Sequence, residues 1–401
     1  MAARKRGLWL VGARGGIAAT VSVGLAELAT SADGGARFGL VTETPLLGDL
    51  AFDPWSDWIV GGHELRGGTL LDAAQQLERE NGALPRGLSQ RHAETLGAID
   101  QRICAGVRFQ SGDAIDALAG SHRAEDTPRT LIDHIAADLV AFRDDNQLES
   151  VVVVIVSSTE PPVDPAQLPA TWAELAPTLA AATDCSLRAS SLYAIAAIEN
   201  GMPLVNFTPS LGASCDGIED LATQRGVPIG GRDGKTGETL LKSVLAPMFA
   251  QRALHVDSWV GHNLLGNRDG AVLADPENKK SKLDTKDALL AELLGHAPQS
   301  LVTIESIDSL GDWKTAWDHV HFRGFLGVPM TLQFTWQGCD SVLAAPLVLD
   351  LVRLITLAAD RGEAGPITAL APFFKKPQGE TSHDFAKQFA ALREWTASDN
   401  A

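Results

Sequence analysis

Apolar positions along the chain follow two rhythms. Short unbroken apolar runs alternate with longer stretches of helical period, the pattern of strands buried on both faces and of the helices that cover them. Residues 7–11, GLWLV, form the first run; a glycine turn, GARGG, and a small-residue helical stretch follow. Residues 149–156, ESVVVVIV, form the clearest run and are β-branched almost throughout. Other runs predict strands at 38–42 and 203–207, and helices at 70–77, at 190–201 with a closing glycine, and at 346–362. Residues 85–145 read as mainly helical. From about residue 237 to 333 the rhythm changes, and strands at 253–260, 300–306 and 330–336 suggest an inserted mixed sheet. The expected fold class is α/β, with a Rossmann-like dinucleotide-binding domain (1–236 plus 338–401) and an inserted α+β domain (237–337).

A strand, a glycine turn and a helix in succession place free helix amides where a pyrophosphate can sit. Gly12, Gly15 and Gly16 supply that turn, so they are candidate cofactor contacts together with Arg14 and Ile17, which interrupt the usual glycine spacing. Ligands of open α/β sheets lie beyond the carboxyl ends of the strands. Ser157, Ser158 and Thr159 therefore join the list, with capping of the next helix as the competing reading. Glu43 follows the expected strand at 38–42 and is placed to accept from an adenosine ribose, though a solvated glutamate is the commoner case.

The 401 residues carry 50 acidic against 33 basic groups, a formal charge of −17. That balance argues against a general nucleic-acid or membrane-surface binder, and an anionic substrate would have to be drawn in by local cations. The four cysteines have no CxxC or zinc-like spacing, which predicts reduced thiols in a cytoplasmic protein and no metal centre. The apolar run behind the basic N-terminus is too short for a signal sequence. No segment is expected to reach the roughly 18–20 apolar residues of a membrane span.

Against this acidic background, residues 263–286 gather Asn263, Asn267, Asp269, Lys279, Lys280, Lys282 and Lys286. On a helix Lys282 and Lys286 share a face and repel by a few tenths of a kcal/mol unless an anion lies between them. The cluster reads as one wall of a pocket for a polyhydroxylated, phosphorylated ligand; solvated surface lysines are the alternative.

NLLGNRDG followed by KKSKLDTK resembles NHLGNNDG and FRSKEISKS of the myo-inositol-1-phosphate synthase family. GRDGKTGETLLKS resembles that family's GDDxKSGQTKxKS, GDWKTAWDHV its GDSKxAMDEY, CDSVLAAPLVLDL its CEDSLLATPLxxDL, and FKKP the end of its WLKAP. The glycine turn resembles GxGGNNG. The resemblance implies tightly held NAD, a sugar-phosphate substrate and a homotetramer assembled through the inserted catalytic domain. It implies conversion of glucose 6-phosphate to 1L-myo-inositol 1-phosphate by internal oxidation, enolisation, aldol closure and reduction. Carried over position by position, it assigns catalysis to Lys282, Lys286, Lys314, Lys375 and Asp340, and substrate contacts to Asn267, Asp269 and Asp312. Asp233 is expected near the nicotinamide or a bound cation. Lys282 would serve the hydride step at the oxygen of carbon 5. Lys286 and Lys314 would act at the enolate and aldehyde oxygens, and Lys375 would share that task or bind phosphate. Lysine suits such work because burial among other cations lowers its pKa.

The chain departs from the pattern at Arg14, Ile17, Arg232, Leu240, Leu264 and Arg268. These changes leave room for a cyclase of another sugar phosphate, such as fructose 6-phosphate. A non-catalytic NAD- or phosphosugar-binding regulator and a plain dehydrogenase are the remaining readings, and only the last predicts net NADH.

Overall fold

A computed structural model describes residues 4–31, 34–47, 50–117, 127–266, 290–379 and 381–398. Its larger sheet has seven strands in the order β11-β6-β5-β4-β1-β2-β3. Every pairing in it is parallel. The strands are β1 (Arg6–Val11), β2 (Trp58–Glu64), β3 (Ile103–Ala105), β4 (Ser150–Ile155), β5 (Leu204–Asn206), β6 (Pro228–Gly231) and β11 (Gly365–Pro366).

Period-two alternation divides the strand residues between two cores. Leu8, Leu10, Val152 and Val154 pack on the face covered by the helices Gly16–Thr30 and Asp340–Asp360. Trp9, Val11, Val151, Val153 and Ile155 pack on the other face, under Pro128–Asp145 and Ala189–Glu199. Burial on both faces is why β4 reads as a continuous apolar run instead of an alternating one.

A second sheet holds β7 (His255–Leu265), β8 (Gln299–Ser306), β9 (Trp313–Arg323) and β10 (Pro329–Cys339), in the order β10-β9-β7-β8. β7 and β8 run parallel, while β9 runs antiparallel to both β7 and β10. The helix Gly237–Gln251 covers one face, where Ala246 and Phe249 meet Val256, Trp259 and Val320. β10 passes into the helix Asp340–Asp360 with Cys339 as both last strand residue and N-cap. The direct strand-to-helix join carries Asp340 from the second sheet to the first.

Several expectations need correction. Residues 38–42 form no strand: Val41–Glu43 is a 3-10 turn, and Phe38 is 84% exposed. Asp350 holds this segment, its carboxylate accepting from the amides of Val41 and Thr42 and from the Thr42 hydroxyl at 2.7–3.0 Å. The strand beside β1 on that side is β2. β9, the short strand β3 and the final helix Phe385–Ala397 are elements that the pattern did not predict. The 346–362 helix begins earlier, at Asp340. By length and composition it qualifies as a candidate span, against expectation, but its apolar window is 67% buried within the protein and its apolarity is that of a core helix.

Candidate active site

A cavity of about 400 Å³ opens at the carboxyl ends of β1, β2 and β4. On one side it is lined by Gly12, Arg14, Gly15, Gly16, Ile17, Ser157 and Ser158, and on the other by Gly266, Gly311, Asp312, Asp340 and Ser341. The glycine turn and the strand-to-helix join of the second sheet therefore face one space.

The turn has little tolerance for side chains. Gly12 has φ +88°, and a Cβ there would lie 2.8 Å from the Ser157 Cα. The amides of Gly12 and Ala13 donate to the His63 carbonyl, and that of Gly15 to the Gly12 carbonyl, which closes the loop. Gly15 is the N-cap of the helix Gly16–Thr30, and its side offers no cap side chain. First-turn amides of a helix have no acceptor four residues back, and the helix dipole adds partial positive charge there. A close backbone approach, unshielded amides and a strand crossing point fit a dinucleotide pyrophosphate.

The expected contacts divide on inspection. Thr159 is not among the residues lining the cavity. Arg14 offers no free cation to a phosphate: its Nε donates to Asp100 at 2.8 Å and its Nη1 to the Arg66 carbonyl at 3.2 Å. Glu43, the expected ribose acceptor, is tied instead to Arg353 at 2.6 Å, to Arg37 at 2.7 Å and to the Trp55 indole at 2.8 Å. Burial raises its pKa, but these donors, Arg353 foremost, outweigh burial and hold it low.

The acid that lines the cavity at the end of the strand paired with β1 is Glu64, the last residue of β2. The expected second strand at 38–42 put that acid at Glu43 instead, and Glu64 was not singled out. An acidic residue in line after a β-strand neighbouring β1 was the available signal.

Asp312 is 8% exposed. Its Oδ2 accepts from the Ser341 amide at 3.1 Å, the Ser341 hydroxyl at 2.5 Å and the Cys339 thiol at 2.6 Å. It clasps the first turn of the Asp340 helix, while its Oδ1 lies 3.7 Å from where a Gly16 Cβ would be. Burial, aided by the Asp312 carboxylate, pushes the Cys339 thiol up to about 12, which marks a structural donor and not a nucleophile.

Behind this wall, Lys375 donates to Asp233 Oδ1 at 2.8 Å. Asp233 has a left-handed backbone, φ +65°, and accepts the Lys375 amide through its own carbonyl. Burial would lower the Lys375 pKa, but the Asp233 carboxylate, with Asp340 and Glu238 beyond it, raises it. Lys375 is thus held as a cation, contrary to the expectation of a lowered lysine pKa. Arg232 and Lys376 exchange backbone hydrogen bonds at 2.8 and 3.1 Å, and burial lowers the pKa of both side chains. Lys314 stands on the inner face of β9, its Nζ 4.0 Å from where a Gly237 Cβ would be. Deeper still, Lys242 and Glu238 form a fully buried pair at 2.6 Å, and Asn263 donates to Glu238 at 2.7 Å. Neither Glu238 nor Lys242 was anticipated as a site feature.

Lys282, Lys286, Asn267 and Asp269 lie outside the described residues. Gly266, which precedes them, lines the cavity and packs so closely on Gly311 that a Cβ would fall 2.5 Å from its backbone.

Comparison with known proteins agrees with this architecture. A family model described as myo-inositol-1-phosphate synthase matches residues 6–396. Inositol-3-phosphate synthase 1 of Bacteroides thetaiotaomicron is 36% identical over 281 residues, 68% of this chain and 64% of the relative. Inositol-3-phosphate synthase isozyme 1 of Arabidopsis thaliana is 31% identical over 261 residues, 61% of this chain and 50% of the relative. The matched region thus spans about half to two thirds of these curated relatives. Among solved structures, inositol-3-phosphate synthase of Caenorhabditis elegans superposes with a TM-score of 0.83 at 24% identity, covering 98% of this chain and 86% of its own. A myo-inositol-1-phosphate synthase-related protein of Thermotoga maritima superposes with a TM-score of 0.80 at 23% identity, covering 98% and 99%. At such identities the superpositions speak for the fold, whereas the family match runs nearly end to end: the chain belongs to the myo-inositol-1-phosphate synthase family.

Proposed function

We propose that this protein is an NAD-dependent cyclase that converts glucose 6-phosphate to 1L-myo-inositol 1-phosphate. The observation that carries the reading is the single cavity shared by the glycine turn and by Asp312 and Asp340 of the second-sheet join. A dinucleotide in the first and a sugar phosphate beside the second would meet without any change of architecture. When bound, NAD supplies reversible hydride acceptance, so oxidation and later reduction of one sugar leave no net redox change.

The chain's own groups then have to hold charge and move protons. Lys375, kept protonated by Asp233, stabilises a developing oxyanion or the phosphate; a preorganised cation of this kind contributes several kcal/mol to barrier lowering. Lys314 supplies a second cation from β9. Lys282 acts at the oxygen of carbon 5, and Lys286 with Lys314 at the enolate and aldehyde oxygens. Asn267 and Asp269 hold sugar hydroxyls, and Asp340 orients Lys375. Asp312 contributes through the clasp that fixes Asp340. Arg232 and Lys376 add positive field against which a phosphate is favourable.

The protein works as a cytoplasmic homotetramer in this reading, with the outer face of the second sheet as the contact. Trp317, 38% exposed, and Leu301, 52% exposed, lie on that face. Incubating protein and NAD with glucose 6-phosphate and following phosphorus and carbon NMR tests the proposal. Inositol 1-phosphate without NADH accumulation is expected. Turnover of fructose 6-phosphate alone would transfer the reading to another cyclase. Net NADH would indicate a dehydrogenase.

A further inference from the structure

We propose that Arg66 forms a receptor for a 2′-phosphate at the adenosine end of the cavity, so that this protein takes NADP as well as NAD. The inference rests on the dinucleotide reading of the cavity and goes beyond it.

In Rossmann folds an acidic residue after the second strand accepts from the adenosine ribose, while a nearby arginine accommodates a 2′-phosphate. This chain has both in contact. Glu64 Oε1 accepts from the Leu65 amide at 2.9 Å, the Arg66 amide at 3.0 Å and Arg66 Nε at 3.3 Å. Its Oε2 accepts from the Arg14 amide at 2.7 Å and from Arg66 Nη2 at 3.2 Å. These are five donors on a group with about four lone-pair positions. A ribose diol has no vacant acceptor there unless a donor leaves. The three amides belong to the backbone of the two turns, so the donor that can leave is the Arg66 side chain.

Arg66 is suited to leave toward a ligand. Its side chain is 27% exposed against 4% for Glu64. It lines the cavity over the glycine turn, with Nη2 3.8 Å from where a Gly15 Cβ would be. Leu65, Ala73 and Leu77 beside it give an apolar wall for a base. The Arg66 carbonyl is fixed by Arg14 Nη1 at 3.2 Å, and Arg14 is neutralised by Asp100 at 2.8 Å. The backbone is thus anchored and the guanidinium alone can swing. When it does, Glu64 keeps three amide donors, and the guanidinium gains a dianionic partner that it can meet with two parallel hydrogen bonds. Gln76 and Glu80 also line this end, and Glu80 together with Glu64 opposes the phosphate, so the guanidinium has to stand between the phosphate and these acids.

Isothermal titration of the full chain with NAD and with NADP tests the assignment. The Kd for NADP should rise relative to that for NAD by at least about tenfold in Arg66→Ala, the size expected for losing an arginine–phosphate pair. A change in that ratio smaller than about tenfold, or in the opposite direction, overturns the assignment. If neither dinucleotide binds the unmodified protein, the dinucleotide reading itself fails and takes this one with it. Should Arg66→Ala fail to fold, titration of the unmodified protein with 2′-AMP and with adenosine decides: 2′-AMP tighter by at least about tenfold supports the receptor, and a smaller difference overturns it.

Discussion

Lysine chemistry in this protein is set by which neighbour each ammonium meets. Lys375 lies against Asp233 and is raised, whereas Lys235, 4% exposed, is lowered to about 8 by burial alone. Lys235 points at Gln388 of the last helix, 2.5 Å away, and so takes a structural position next to the site. Its depressed pKa has a defined sign in stability. Between pH 8 and 10.5 the unfolded chain binds more protons at this residue than the folded one, so stability rises with pH across that window. Lys235→Met should remove this rise, worth at most about 3 kcal/mol, when denaturant midpoints are compared at both ends of the window. Asp233→Asn acts in the opposite sense on Lys375: without the carboxylate, burial dominates and the pKa falls. The basic limb of the pH profile for kcat/KM should move to lower pH, and an unmoved limb would remove Lys375 from the reacting set. Gly12→Ala needs both a strained left-handed backbone and the 2.8 Å approach to Ser157, so NAD affinity should fall by about a hundredfold or more in a binding titration.

Elements were legible where burial is uniform and obscure where a polar residue points inward. β4, covered on both faces, is plain in the sequence. β9 is not, because its inward positions include Asp318, fully buried with its Oδ1 accepting from the Trp259 indole at 2.7 Å, while the apolar Trp317 faces outward. The alternation that marks a strand is inverted there by a side-chain hydrogen bond that only the fold reveals. Residues 38–42 failed in the opposite way, since an apolar run with an exposed Phe38 is held as a turn by Asp350, more than 300 residues on. The glycine turn was legible because its chemistry is local; Glu64 was missed because its meaning depends on which strand pairs with β1. The clasp of Asp312 on Ser341 gives a prediction at this scale. Asp312→Ala leaves the first turn of the Asp340 helix uncapped and should cost about 1–2 kcal/mol in thermal or chemical unfolding. It should also lower kcat through Asp340, whereas a loss of stability alone would restrict Asp312 to structure.

For the whole molecule, two sheets meet along one cavity, and the join from β10 to the Asp340 helix fixes their geometry. The same join leaves the outer face of the second sheet open, with Trp317 stacked on His262 at 5.6 Å between centroids. Trp317→Glu should convert the proposed tetramer to smaller species by light scattering while NAD titration is unchanged; a tetramer that persists in the variant would locate assembly elsewhere. The family motifs were readable because they cluster in short segments, but the pairing of Asp233 with Lys375, 142 residues apart, was not. In the proposed reaction one sugar is oxidised and reduced within one turnover. The most direct measurement supplies glucose 6-phosphate deuterated at carbon 5 to protein and NAD and locates the label by NMR. Deuterium retained in inositol 1-phosphate, with no build-up of NADH, is the predicted result. Deuterium in released NADH, or no cyclitol phosphate at all, would contradict it.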